Sequence, residues 1–409
     1  MAGRQPSVQT DQPTASSDTS GGPILSPRRV GDVNRSRILQ TLVDHGPLSR
    51  AELARFANVT RATIGNIVQS LIDAGVLEEQ SMRPGQIGKP PRPLWFARQG
   101  ALSAVLSLEE HVCTAALVDA TGLVEALQVV PYPGARPSSV DLRGVVEHAL
   151  SSVCADLGDK TLLGVGVAVP AMCLASGEIV ASSVLPALEG RWLHEFLSDT
   201  YDVPVVIDTD SRAQALAEKW FGQGRGVRVF AAVRVSEGIG AGVVLNGTVF
   251  RADQGIGSEF GHTVVERRGG LPCPCGGSGC WQTIAGTGWI RREARARGLK
   301  GAAKLDCASL VSRAKDEPPL ALLLADYADN IAVGLTNLMH VYHPLLFILN
   351  GNVLGGGEPL RAAVEDALRK RVVALVRDEV RVVLSQLDGR ASLQGAAALV
   401  LSERFQLAG

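Results

Sequence analysis

From Gln99 onward, short β-type runs alternate with helical patterns, and this interleaving most limits the folds open to the chain. Ala104–Leu108 and Thr114–Val118 flank a tight turn; Gly164–Val169, Val203–Ile207, Val229–Val235, Gly242–Leu245 and Leu345–Leu349 follow. Helical patterns lie among them at Ala213–Phe221, Leu320–Val341 and Leu360–Val376. Strands that feed helices give an α/β architecture. The 409 residues exceed one ordinary domain, and 46% hydrophobic content can fill a sizeable core. No apolar run approaches the ~18 residues of a membrane span. The N-terminus lacks a basic stretch followed by an apolar one, which argues against secretion. Seven cysteines, three of them inside eight residues, fit a reduced cytoplasm better than a disulfide framework.

The net charge of -1 hides an asymmetry. Residues 28–98 hold 11 Lys/Arg against 6 Asp/Glu, and the chain from Gln99 holds 28 against 33. A small basic module thus precedes a large acidic one. Residues 1–27 are Ser/Thr/Gln/Pro/Gly-rich and bury too little to order themselves, so they read as a disordered tail.

The basic module reads as three helices and a wing. Asn34–Val43 carries Ile38, Leu39, Leu42 and Val43 on one face, and Gly46-Pro47 ends it. Ser49 with Glu52 three residues on forms a capping-box pattern for a helix Arg50–Phe56 that buries Leu53, Ala54 and Phe56. Thr60 caps the next helix, whose Ile64, Ile67, Val68, Leu71 and Ile72 make one apolar stripe ending at Gly75. Its other face shows Arg61, Thr63, Asn66, Gln69 and Ser70. Two β-type segments, Val76–Glu79 and Leu94–Phe96, enclose a basic Gly/Pro wing, Arg83–Arg92.

In a helix-turn-helix the second helix enters the major groove with its N-terminal residues at base edges. Thr60, Arg61, Thr63, Asn66 and Gln69 are therefore the candidate DNA contacts, Arg61 suiting guanine and Asn66 adenine. Lys89 and Arg92 would hold phosphate or probe the minor groove. The alternative is a protein-interaction module with a solvated polar face. A helix-turn-helix implies a two-fold dimer on paired half-sites, hence a homodimer or homotetramer.

Cys273, Cys275 and Cys280 lie in a Gly-rich loop downstream of His262. Three thiolates and an imidazole make a closed tetrahedral zinc set, structural because no position remains for water. Three reduced cysteines in a flexible loop are the alternative.

Together these marks resemble the winged-helix regulators of the ROK family (repressors, open reading frames and sugar kinases), from Val30 to the end. The most specific are Gly257–His262 and Cys273–Cys280, with Gly164–Pro170, Asp208–Glu218 and Gly238–Gly242 beside them. The resemblance implies an actin-like (ribonuclease H-like) domain over residues 99–409. Its two lobes are expected at about 99–220 with 391–409, and about 221–390. A C-terminal helix near Ser392–Phe405 should return to the first lobe. The winged helix-turn-helix would span residues 28–98.

The family kinases place Asp-x-Gly-Gly-Thr at the nucleotide phosphates. Here Ser107 replaces the Asp, Glu109 and Glu110 the glycines, and His111 the Thr. The Gly-Thr-Gly turn reads Ser236-Glu237-Gly238, and the third glycine turn reads Asn350-Gly351-Asn352. Carboxylates repel phosphate, and side chains block the close backbone approach that glycine permits. No catalysis is expected. The resemblance makes Asp210 the catalytic-base position and puts Glu259 and His262 at sugar-contacting positions. Val184, Thr209 and Gln282 depart from the pattern. These features imply a cytoplasmic DNA-binding repressor that senses a sugar or sugar phosphate. A sugar kinase with a DNA-binding appendage, and a protein-docking or dimerisation scaffold, are the alternatives.

Overall fold

The computed structural model describes residues 27–73, 75–80, 92–98, 100–387 and 389–407. Three helices open the chain: α1 Pro27–His45, α2 Arg50–Ala57 and α3 Arg61–Asp73. The Ser49 hydroxyl accepts from the Glu52 amide at 3.3 Å, and the Glu52 carboxylate accepts from the Ser49 amide at 2.9 Å, so the capping box forms as the spacing predicts. Thr60 Oγ1 likewise accepts from the Thr63 amide at 3.2 Å. Gly75, at φ +67°, ends the segment in a left-handed turn that favours glycine. Antiparallel β1 Leu77–Glu79 and β2 Leu94–Phe96 complete the winged module. Ile64, Val68 and Leu71 are buried as expected.

Two expectations fail here. Phe56 is 46% exposed, because α2 turns it away from Leu53 and Ala54; it stacks on His45 instead, with ring centroids 4.3 Å apart. The expected helix Leu360–Val376 stops at Arg371, and residues 374–376 form a separate short turn. Lys89, most of the wing and residues 1–26 of the tail lie outside the described residues.

The large domain contains two five-stranded mixed sheets. The first uses β3 Ala101–Leu108, β4 Val112–Asp119, β5 Val124–Pro131, then α4 Ser139–Cys154 and β6 Thr161–Val169. A small hairpin, β7 Met172–Cys173 with β8 Ile179–Ala181, precedes α5 Trp192–Thr200 and β9 Val205–Thr209. Helix α6 covers Asp210–Phe221. The second sheet uses β10 Phe230–Val235, β11 Ile239–Leu245 and β12 Thr248–Val249. After α7 Trp281–Ala285, α8 Thr287–Ala296, α9 Cys307–Ala314 and α10 Pro318–Tyr342 come β13 Leu346–Asn350, α11 Gly357–Arg371, β14 Arg381–Leu384 and α12 Ala391–Phe405.

The strand orders, β5-β4-β3-β6-β9 and β12-β11-β10-β13-β14, are the same pattern used twice. In each, three antiparallel strands come first and two parallel strands are added by crossovers. The helix after each sheet then packs on the other sheet: α6 lies against β10 and β11, and α12 against β3 and β6. The two helices also pack on each other, so they fill the space between the sheets. One apolar cluster joins them to the winged module, running from Ile38, Leu53 and Ile64 through Phe96 and Trp220 to Ala213 and Leu399. The outer faces of the sheets carry separate cores, one around α4 and α5 and one around α7 to α11.

Candidate functional site

The cleft floor is set by the end of β9. A chain leaving a parallel strand for a helix puts its first helical side chains at the carboxyl edge of the sheet, where α/β proteins hold ligands. Asp210 is that first residue. Two residues on, Arg212 turns inward, and its buried guanidinium binds Asp208 (Nε to Oδ1, 2.7 Å) and the Gly255 carbonyl (2.8 Å). Arg251 reaches the other oxygen of Asp208 at 2.8 Å. A buried charge needs such a fully bonded setting. The same bonds tie the loop before Glu259 to the strand before Asp210.

A cleft of about 320 Å³ results. Asp210, Glu259, His262, Arg234, Ser182 and Cys275 all line it. Val184, Thr209 and Gln282, the three departures from the family pattern, line this same cleft. The expected ligand residues are therefore brought together. Glu259 opens on the cleft but is crowded by protein, and that desolvation, followed by the Asp210 charge, pushes its carboxyl above the usual range.

Sequence reasoning missed Arg234. It sits on β10 with its Nη1 3.3 Å from Asp210 Oδ2. Its signal was present, a charge inside the otherwise apolar run Phe230–Val235. Ser258 was also missed; it has φ +70°, lines the cleft, and its buried hydroxyl has no hydrogen-bond partner among the described residues.

The three altered phosphate turns are built differently from a phosphate cradle. Glu109, Glu110 and His111 form the β3–β4 hairpin, where the exposed Glu110 and His111 side chains approach to 3.8 Å. Glu237 is paired with Arg291 and accepts from the Thr287 hydroxyl at 3.0 Å. Ser236 Oγ accepts from the Asn352 amide at 3.2 Å, so the second and third turns bond to each other. None of Glu109, Glu110, His111, Glu237 and Asn350 lines the cleft.

Beside the cleft, one ligand atom from each of His262, Cys273, Cys275 and Cys280 lies within 4.8 Å of the others. Cys273 Sγ is 3.4 Å from His262 Nδ1, and the Cys275 and Cys280 sulfurs are 3.7 Å apart. Tetrahedral bonds of about 2.0 Å to nitrogen and 2.3 Å to sulfur imply edges of about 3.5–3.8 Å. The donor set therefore fits a metal ion. Gln282 adds an N–H donated to Cys273 Sγ at 3.1 Å, the outer contact such thiolates take.

On the winged module, Thr60, Arg61, Asn66 and Gln69 are exposed and Thr63 is half-buried, all around α3. The Gln69 amide donates to Asp73 at 2.8 Å, and Arg92 pairs with Glu79 at 3.3 Å, beside Arg50. No helix among the described residues is long and apolar enough to cross a membrane.

Known proteins show the same organisation. The xylose repressor of Caldicellulosiruptor bescii is 22% identical over 391 residues, covering 91% of this chain and 96% of that protein. The DNA-binding transcriptional dual regulator NagC of Escherichia coli is 25% identical over 384 residues, covering 91% and 93%. The crystal structure of a ROK family transcriptional regulator, a homologue of the E. coli MLC protein, superposes with a TM-score of 0.76 over 92% of this chain and 98% of its own, at 22% identity. The winged helix-turn-helix DNA-binding model matches residues 32–78. The ROK family model matches residues 110–403, and the chain belongs to the ROK family.

Proposed function

We propose that this protein is a transcriptional repressor of carbohydrate-related genes, whose ROK domain senses a sugar or sugar-derived ligand without catalysing its phosphorylation. The observation that carries the reading is a winged helix-turn-helix with an exposed polar α3 face, packed directly on a domain whose cleft gathers Asp210, Glu259 and His262. The relatives named above are a xylose repressor and a DNA-binding regulator, which supports the same reading. Thr60, Arg61, Thr63, Asn66 and Gln69 would meet base edges and backbone, with Lys89 and Arg92 on phosphate. Asp210 would accept hydrogen bonds from ligand hydroxyls. A site built around such contacts discriminates strongly among polyols.

His262, Cys273, Cys275 and Cys280 would hold one structural zinc ion. With four protein ligands it supplies a cross-link, not an activated water. The cross-link fixes the loop that carries Glu259 and His262 to the cleft. The active form would be a cytoplasmic homodimer or homotetramer on paired half-sites.

Genome-wide mapping of bound DNA tests the reading, because the target genes also point to the ligand. A sugar panel should then contain a compound that changes operator affinity about 5–150-fold. Asp210→Ala should abolish that response and keep DNA binding. If no sugar or sugar phosphate changes operator affinity, the domain is a dimerisation or docking scaffold.

A further inference from the structure

Helix α6 places Asp210 in the cleft at its first residue and Trp220 under the winged module near its last. Ten residues of helix separate them, about 15 Å at 1.5 Å per residue. At the cleft end, Asp210 is paired at 3.3 Å with Arg234, which belongs to the second sheet.

Along its length α6 has no slack. A Cβ added to Gly395 of α12 would come within 2.0 Å of the Ala213 carbonyl oxygen. One added to Gly242 of β11 would come within 2.5 Å of Ala215 Cβ. Close backbone approach of this kind is what glycine permits, and it grips α6 from two sides.

At the far end, the Trp220 ring centroid lies 5.5 Å from that of Phe96, in the last strand of the winged module. Lys219 is buried with Asp44 of α1 as its charged neighbour. Just beyond the helix, the Arg225 guanidinium sits 4.8 Å from the Trp95 ring centroid.

A close-packed element shifts as a body between discrete arrangements and does not deform gradually. We propose that α6 is the lever that carries cleft occupancy to the DNA-binding module, with Arg234 as the latch that holds its Asp210 end to the second sheet. A ligand hydroxyl bound to Asp210 competes with Arg234 for the same carboxylate oxygen. Losing that tie leaves only packing to hold the Asp210 end, so α6 shifts as a body against β10 and β11, and the Phe96–Trp220 contact moves the winged module with it. Half-sites lie about 34–36 Å apart, so a displacement of a few ångström costs contacts on one of them. The nature of the trigger rests on the effector reading above; the mechanical link does not.

The test needs no sugar. The full-length protein selects a DNA fragment from a random pool, and affinity for that fragment is measured in a double-mutant cycle. Arg234→Met removes the latch charge and keeps the side-chain length. Phe96→Leu loosens the seat, with Trp220→Phe as a second seat variant should the first fail to fold. Arg234→Met alone should change DNA affinity at least about fivefold. In the seat-variant background the same substitution should change it less than about twofold, since only coupled sites depart from additivity. An Arg234→Met protein that binds like the parent, or one whose effect is equal in both backgrounds, overturns the lever. A protein that responds to no sugar yet shows the coupling would sink the effector reading alone.

Discussion

The Glu237 carboxylate lies 2.6 Å from the Arg291 guanidinium, inside the turn where a ROK kinase presents backbone to nucleotide phosphate. The pair puts side chains of both signs in the turn that the family resemblance aligns with a phosphate turn. Glu109 and Glu110 add two more carboxylates at the β3–β4 hairpin. Positioned donors and cations perform phosphoryl transfer, and here the Arg291 cation and the Thr287 hydroxyl are both engaged by Glu237. Incubation with ATP and a panel of hexoses, pentoses and amino sugars should yield no sugar phosphate above the protein-free control. ATP turnover that disappears in Asp210→Asn would show a working kinase.

On DNA, Arg61→Ala and Asn66→Ala should each cost about 1–3 kcal/mol and relax preference at one base, as loss of a bidentate contact does. Lys89→Ala should weaken binding evenly across sequences and reduce its salt dependence. Gln69 should matter less, because its amide already donates to Asp73. Binding to selected and scrambled fragments at two salt concentrations separates these cases. A protein truncated to begin at Gln99 that still shifts operator DNA would overturn the assignment.

Much of this was legible from residue types. The capping box at Ser49 and Glu52, the stripe Ile64–Val68–Leu71 and the gathering of Asp210, Glu259 and His262 all appear where spacing or family pattern put them. Phe56 misled because a short helix exposes an apolar residue when a neighbour, here His45, covers its ring. The duplicated strand order was not legible, since the central strands β3, β6, β10 and β13 are covered on both faces and read only as near-continuous apolar runs, which many sequences supply. Arg234 was missed because its partner, Asp210, lies 24 residues away and on the other sheet's exit helix. Pairing across a cleft has no local periodicity to read.

The cysteine cluster predicts one zinc per chain. Elemental analysis of reduced, chelator-washed protein should find it, and Cys275→Ser should lose it. Because Gln282 donates to Cys273 Sγ, Gln282→Ala should weaken metal retention about 10–100-fold while leaving all four ligands in place. Chelation should also lower the thermal unfolding midpoint, since a metal bound only to the folded state stabilises it by mass action. Metal-free protein with an unchanged midpoint would refute a structural role.

Glu218 offers a pH-dependent test of the packing around α6. It is fully buried; one carboxylate oxygen accepts from the Gln223 amide at 2.9 Å, and the other has no hydrogen-bond partner among the described residues. Burial pushes its carboxyl above the usual range, against the lowering pull of the Ser385 hydroxyl and the Gln223 amide. An unfolded Glu titrates at about 4.3, so between that value and the raised folded value the native state binds more protons than the unfolded one. Its contribution to stability is therefore fully present at low pH and is lost as pH rises through the folded value. Glu218→Gln keeps an acceptor for the Gln223 amide and removes the buried charge. The variant should be no more stable than the parent near pH 4 and increasingly more stable toward pH 8. Thermal midpoints of both proteins across that range would show it. A Gln variant that is less stable by the same amount at every pH would mean that Glu218 is held charged by a partner, and that its burial does not penalise the ionised form.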